Sequence, residues 1–169
     1  MSLYKVLFIG VKVLGDNDQR YKDLFYIEQG IKKKGYRIVY HMYGSSSIKC
    51  IDGEWKSYWE KEMNMKKIDI SFLTNPNTKC DCCKEYAAEF VGCHVIDKNT
   101  GEIFIYPCCK KCNDSVKGVE KDNPFYANES LLVPLREEAV DSENLDESLE
   151  ELRKEALERI SLDGDSSHQ

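Results

Sequence analysis

Two periods of apolar and polar residues alternate along this chain, and the switches between them mark its elements. Tyr4 to Val13 is rich in apolar and β-branched residues and predicts a strand. Tyr21, Leu24, Phe25, Ile27 and Ile31 recur at helical spacing, which predicts a helix that Gly35 stops just after Lys32, Lys33 and Lys34. Tyr36 to Tyr43 then reads as a second strand ending at Gly44, so the first segment opens with a strand, a helix and a strand. Ile48 to Ile51 and Glu54 to Tyr58 flank Asp52-Gly53, a pair suited to the positive φ angles of a tight turn, and predict a hairpin. Tyr58 to Met65 follows as a short helix, and Ile68 to Leu73 as a further strand.

Thr74 to Thr78 is a turn-rich joint. Beyond it, Phe90 to Ile96 and Glu102 to Tyr106 are short apolar runs separated by the turn Asp97 to Gly101, which predicts a second hairpin. Pro107 precedes a stretch from Cys109 to Lys117 that can start a helix and ends before Gly118. In the last part of the chain Leu145, Leu149, Leu152, Ala156 and Ile160 return to helical spacing, with Asn144 and Glu147 placed as a capping box. A lone amphipathic helix of about eighteen residues is marginal in water, so it should pack on its own body, on a second copy or on a partner. Ser161 to Gln169 is expected to be disordered. The class is thus α+β: a small α/β segment (1–74), a cysteine-rich module (75–125) and an acidic helical tail (126–169).

Charge divides the chain in the same place. The net charge is -6, yet residues 136–169 hold twelve acids against four bases, which leaves residues 1–135 at about +2. The mildly basic first part permits contact with an anionic partner without demanding it. Lys32, Lys33 and Lys34 have a simpler reading as the solvated end of a helix. Gly44 to Ser47 lacks a following phosphate-loop lysine and reads as an ordinary polar loop. No apolar run is long enough to span a bilayer, and the Leu3 to Leu14 stretch, broken by Lys5 and Lys12, lacks the features of a secretory signal. A cytoplasmic location with reduced thiols is the expectation, and it leaves the eight cysteines available to a metal rather than to disulfides.

Cys80-x-x-Cys83 and Cys109-x-x-Cys112, separated by twenty-five residues, are the strongest chemical signal. Two such pairs converge on one tetrahedral ion, and four thiolates favour a structural zinc. Cys82 can replace Cys80 or Cys83 in that set, and Cys108 can replace Cys109. A second metal using Cys82, Cys93, His94 and Cys108 would need ligands from both faces of one strand, which counts against it. Alternation places Cys93 on the face opposite His94, as a small buried hydrophobe, and Cys50 reads as a core thiol.

A knuckle, a hairpin and a helix carrying the last two ligands make a treble-clef order. With His94 on the first hairpin strand and Pro107-Cys108-Cys109-Lys110-Lys111-Cys112-Asn113 after the second, residues 78–120 resemble the zinc-containing HNH, or ββα-metal, group. In that group the strand histidine is a general base and an asparagine near the helix start positions it. The resemblance therefore implies catalytic roles for His94 and Asn113, with magnesium or another divalent ion as the catalytic metal. Cys93 stands where the family has an acid, and the helix offers no histidine, so the nuclease metal site is incomplete unless Asp97 or Asp114 substitutes. His94 has three readings: general base, zinc ligand, or structural histidine bonded within the fold. The favoured function is a non-catalytic zinc module binding a nucleic acid or a protein, with no membrane partner. An HNH-type nuclease is the alternative, and an inhibitor or regulator acting through the acidic tail is a weaker one. Self-association through the C-terminal helix is a further expectation about partners.

Overall fold

A computed structural model describes residues 19–42, 45–114, 123–145 and 147–165. The strand expected at 4–13 and the continuation of the helix beyond Asp114 lie outside the described residues. Within them the protein is mixed α and β, with four α-helices and one five-stranded antiparallel sheet. The helices are α1 (Gln19–Glu28), α2 (Trp55–Met65), α3 (Lys110–Asp114) and α4 (Leu149–Asp165). The strands are β1 (Tyr36–His41), β2 (Phe90–Ile96), β3 (Ile103–Cys109), β4 (Phe125–Asn128) and β5 (Val133–Pro134), in the order β4-β1-β2-β3-β5.

The β2–β3 hairpin forms as its alternation predicts, paired from Phe90 with Cys109 to Ile96 with Ile103. Its turn is closed by Asp97, whose Oδ1 accepts from Asn99 N at 2.8 Å, and by Gly101 at φ +71°. On one side of this hairpin lies β1, with Tyr40 opposite Ile96 and His41 opposite Val95. On the other lies β5, where Ile105 pairs with Val133. The sheet therefore runs straight across the division expected near residue 75, and a strand of the first segment is a neighbour of the cysteine-bearing hairpin.

Several local readings are corrected. The helix α1 ends at Glu28, because Gly30 at φ +73° breaks it; Gly35 comes too late to be the stop. Lys32, Lys33 and Lys34 lie after the helix in an exposed connection rather than on its last turn. Asp52-Gly53 does turn, with Gly53 at φ +120° and an isolated bridge to Cys50, but the residues after it start a helix instead of a second strand. Trp55, Trp59 and Met63 recur every four residues and bury one helical face, which outweighs the strand preference of the aromatic residues. Ile68 to Leu73 is likewise not a strand; a 3-10 turn spans Ser71–Thr74.

Helix α2 packs on the β2 face carrying Gly92 and His94. A Cβ added at Gly92 would stand 2.7 Å from both Lys56 N and Trp55 C, so only glycine admits the helix this close. Trp55 and Trp59 send their indole N–H groups to Ile48 O and Leu131 O at 2.8 and 2.7 Å, which satisfies them inside the core. Leu152, Ala156 and Ile160 of α4 are buried, and Leu157 reaches the β2–β3 turn at Gly101. The apolar stripe of the tail is thus used on the chain's own body. The expectation of disorder from Ser161 is corrected as far as Asp165, where α4 ends; residues 166–169 lie outside the described residues.

Candidate metal centre

Cys80 to Cys83 form a tight turn: Lys84 N donates to Cys80 O at 2.8 Å, and Lys84 takes φ +61° to leave it. Few side chains accept that conformation, and the ion pair of Lys84 Nζ with buried Asp23 at 3.3 Å helps to hold it. The second pair comes from the sheet, since Cys109 is the last residue of β3 and Cys112 lies in α3. Backbone N–H groups support the sulfurs, with Cys109 N donating to Cys80 Sγ and Cys112 N to Cys109 Sγ, each at 3.4 Å. All four thiol sulfurs lie within 4.8 Å of one another, and all four residues are buried. Cys83 Sγ is 3.8 Å from Cys109 Sγ. Four sulfurs at about 2.3 Å from a tetrahedral zinc stand about 3.8 Å apart, so the geometry and the donor set both fit that ion.

Crowding makes the thiols shift one another. Hydrogen bonds from the surrounding thiols of Cys108, Cys109, Cys112 and Cys83 hold the Cys80 pKa well below its ordinary value. The pKa of Cys112 is driven up, chiefly by Cys109, and that of Cys108 also rises, chiefly through Cys80. Cys82 comes down to about 6, with Cys112 the largest cause and His41 also acting against burial. Buried thiolates this close repel one another, and a divalent cation removes the conflict by taking the charge of several at once.

A second group stands beside the first. His41 of β1, Cys93 of β2 and Cys108 of β3 have ligand atoms within 4.8 Å of one another, and His41 Nε2 is 3.3 Å from Cys82 Sγ. All of these side chains are buried. The register explains the meeting: His41 lies opposite Val95 and Cys108 opposite Val91, so all three project from the β2 face that carries Val91, Cys93 and Val95. Cys93 does leave the strand opposite His94, as alternation requires. Sequence spacing does not mark His41 as a candidate, because no cysteine lies at a ligand spacing from it; its sequence signal is its place in a strand. Cys50 is buried elsewhere, in the core, bridging Gly53 and Val140.

His94 belongs to different surroundings. Its ring meets Trp55 edge to face at 5.2 Å, and its Nε2 is buried with no hydrogen-bond partner among the described residues. Burial, with the charge of Lys49, lowers its pKa to about 4 and keeps it neutral at pH 7. Asn113 is exposed on α3, with its amide 3.5 Å from Asp114 Oδ1. Asp97, one of the two acids weighed as a substitute, is committed to its own turn and to Arg37 at 3.6 Å.

The support of the first cysteine pair continues into the sheet. Tyr106 donates to Asp81 Oδ2 at 2.5 Å while its oxygen accepts from Asn128 N at 2.9 Å, which links the knuckle to β3 and β4. Burial raises the pKa of Asp81, opposed by the Tyr106 hydrogen bond. Among the described residues no helix is long and apolar enough to cross a membrane. Comparison with family models, with curated proteins and with solved structures gives no match for this chain.

Proposed function

We propose that this protein is a zinc-stabilised, non-catalytic module of HNH-like, treble-clef type that presents a rigid surface to a macromolecular partner, a nucleic acid or a protein. The observation that carries the reading is the buried Cys80, Cys83, Cys109 and Cys112 group, with its 3.8 Å sulfur separation. The Cys80–Cys83 turn, the β2–β3 hairpin and α3 follow one another along the chain, which supports that reading. A general base must reach a water and hold a proton near neutral pH. His94, buried against Trp55 with a pKa of about 4, is poorly placed for that work. The exposed Lys32, Lys33 and Lys34, with exposed Ile31 and Tyr26 nearby in sequence, support contact with a partner through the connection between α1 and β1.

Elemental analysis of the purified chain should find zinc that survives dialysis, and Cys83→Ser should lower it; a metal-free, folded protein overturns the reading. Titration of the zinc-loaded protein with labelled DNA and RNA at low salt, beside a Lys32→Ala, Lys33→Ala, Lys34→Ala variant, tests the nucleic-acid form of partner binding. The nuclease alternative predicts cutting of plasmid DNA with magnesium or manganese that His94→Ala stops while zinc is kept. Cutting of that kind would replace the non-catalytic reading.

A further inference from the structure

Ligand number points to a second ion. A tetrahedral site of four thiolates uses Cys80, Cys83, Cys109 and Cys112. Of the eight cysteines, Cys50 is away in the core, and the three others, Cys82, Cys93 and Cys108, all gather around His41. Three thiols and one imidazole are a complete donor set for a second tetrahedral zinc.

We infer that the protein binds a second zinc ion through His41, Cys93 and Cys108, with Cys82 completing the shell. His41, Cys93 and Cys108 already converge within 4.8 Å. The 3.3 Å from His41 Nε2 to Cys82 Sγ is close to the roughly 3.5 Å edge between a nitrogen and a sulfur ligand of one tetrahedral zinc. Free buried cysteines are common as small apolar residues, but three of them around a buried histidine are not explained by packing. Among the described residues the hydrogen-bond contact of the His41 imidazole is that thiol, and its ring otherwise lies against Phe125 with centroids 5.5 Å apart. No ligand of this set has to come from both faces of β2, which was the objection to a site containing His94. The ion would fasten β1, β2, β3 and the knuckle to one another, where the first fastens the knuckle to the end of β3 and to α3. Binding releases the thiol protons to solvent and leaves zinc in its divalent state, so no oxidant or reductant is involved.

The test is the zinc content and coordination of the full chain purified with zinc present and dialysed against metal-free buffer. About two zinc ions per chain are expected, falling to about one in Cys93→Ala and in His41→Phe. X-ray absorption of the wild-type protein keeps the test independent of how those variants fold. Its average shell should contain nitrogen and sulfur in a ratio of about one to seven. One zinc per chain in an all-sulfur shell overturns the second site while leaving the first intact; no zinc at all overturns both.

Discussion

At Gly92 helix and sheet come into close backbone contact. Its missing Cβ leaves the space that the backbone of Trp55 and Lys56 fills, both 2.7 Å from where a Cβ would stand. Backbone cannot swing aside as a side chain can, so Gly92→Ala should lower the urea-unfolding free energy by about 3 kcal/mol. Tyr106 is a second such point. Tyr106→Phe leaves half-buried Asp81 without its hydroxyl donor and Asn128 N without its acceptor, and should cost about 2 kcal/mol in the same measurement. Zinc content should not change, since neither group ligates the ion. His41, by contrast, is legible in the sequence only as a strand residue; what makes it a candidate ligand is which residue lies opposite it in the neighbouring strand.

Helix α4 shows what an element owes to its own sequence. Its apolar spacing is visible in Leu152, Ala156 and Ile160, and the structure buries those residues. Its start is four residues later than the Asn144 and Glu147 pair suggests. Ser148 and Glu151 form the box instead, with Ser148 Oγ accepting from Glu151 N at 3.2 Å and Glu151 Oε2 accepting from Ser148 N at 3.0 Å. Ser148→Ala should lower the thermal midpoint in proportion to a loss of about 1 kcal/mol, whereas Asn144→Ala should move it less. Helix α2 illustrates the opposite case. An Asp-Gly turn followed by aromatic residues carries a real hairpin signal, and only packing of the Trp55, Trp59 and Met63 face on the sheet decides for helix.

At the scale of the molecule, the candidate metal ligands and the sheet are one structure. Cys109, Cys108 and Cys93 belong to the strands themselves, so an ion held by them acts on the core and not on an appended finger. On the proposed zinc reading, removal of the ion by a strong chelator should therefore loosen the whole sheet. Trp55 and Trp59, both buried on α2 against it, should show a red-shifted emission, and the near-ultraviolet circular dichroism should fall with them. A folded remainder with unshifted tryptophan emission would mean that the ion stabilises only the knuckle. A chain divided near residue 75 would behave in that way; one sheet containing β1 beside β2 should not.

The sequence by itself determined the cysteine pairs, the β2–β3 hairpin and the apolar stripe of α4. Each depends on spacings within a short stretch of chain, which ligand geometry, the two-residue repeat of a strand and the turn of a helix translate directly. Tertiary structure alone decided that β1 lies beside the hairpin and that His41 meets Cys82, Cys93 and Cys108. It also decided that His94 faces Trp55. Strand order and facing are set by the combined burial of distant segments, and a side chain acquires its chemical neighbours only when that burial fixes the register.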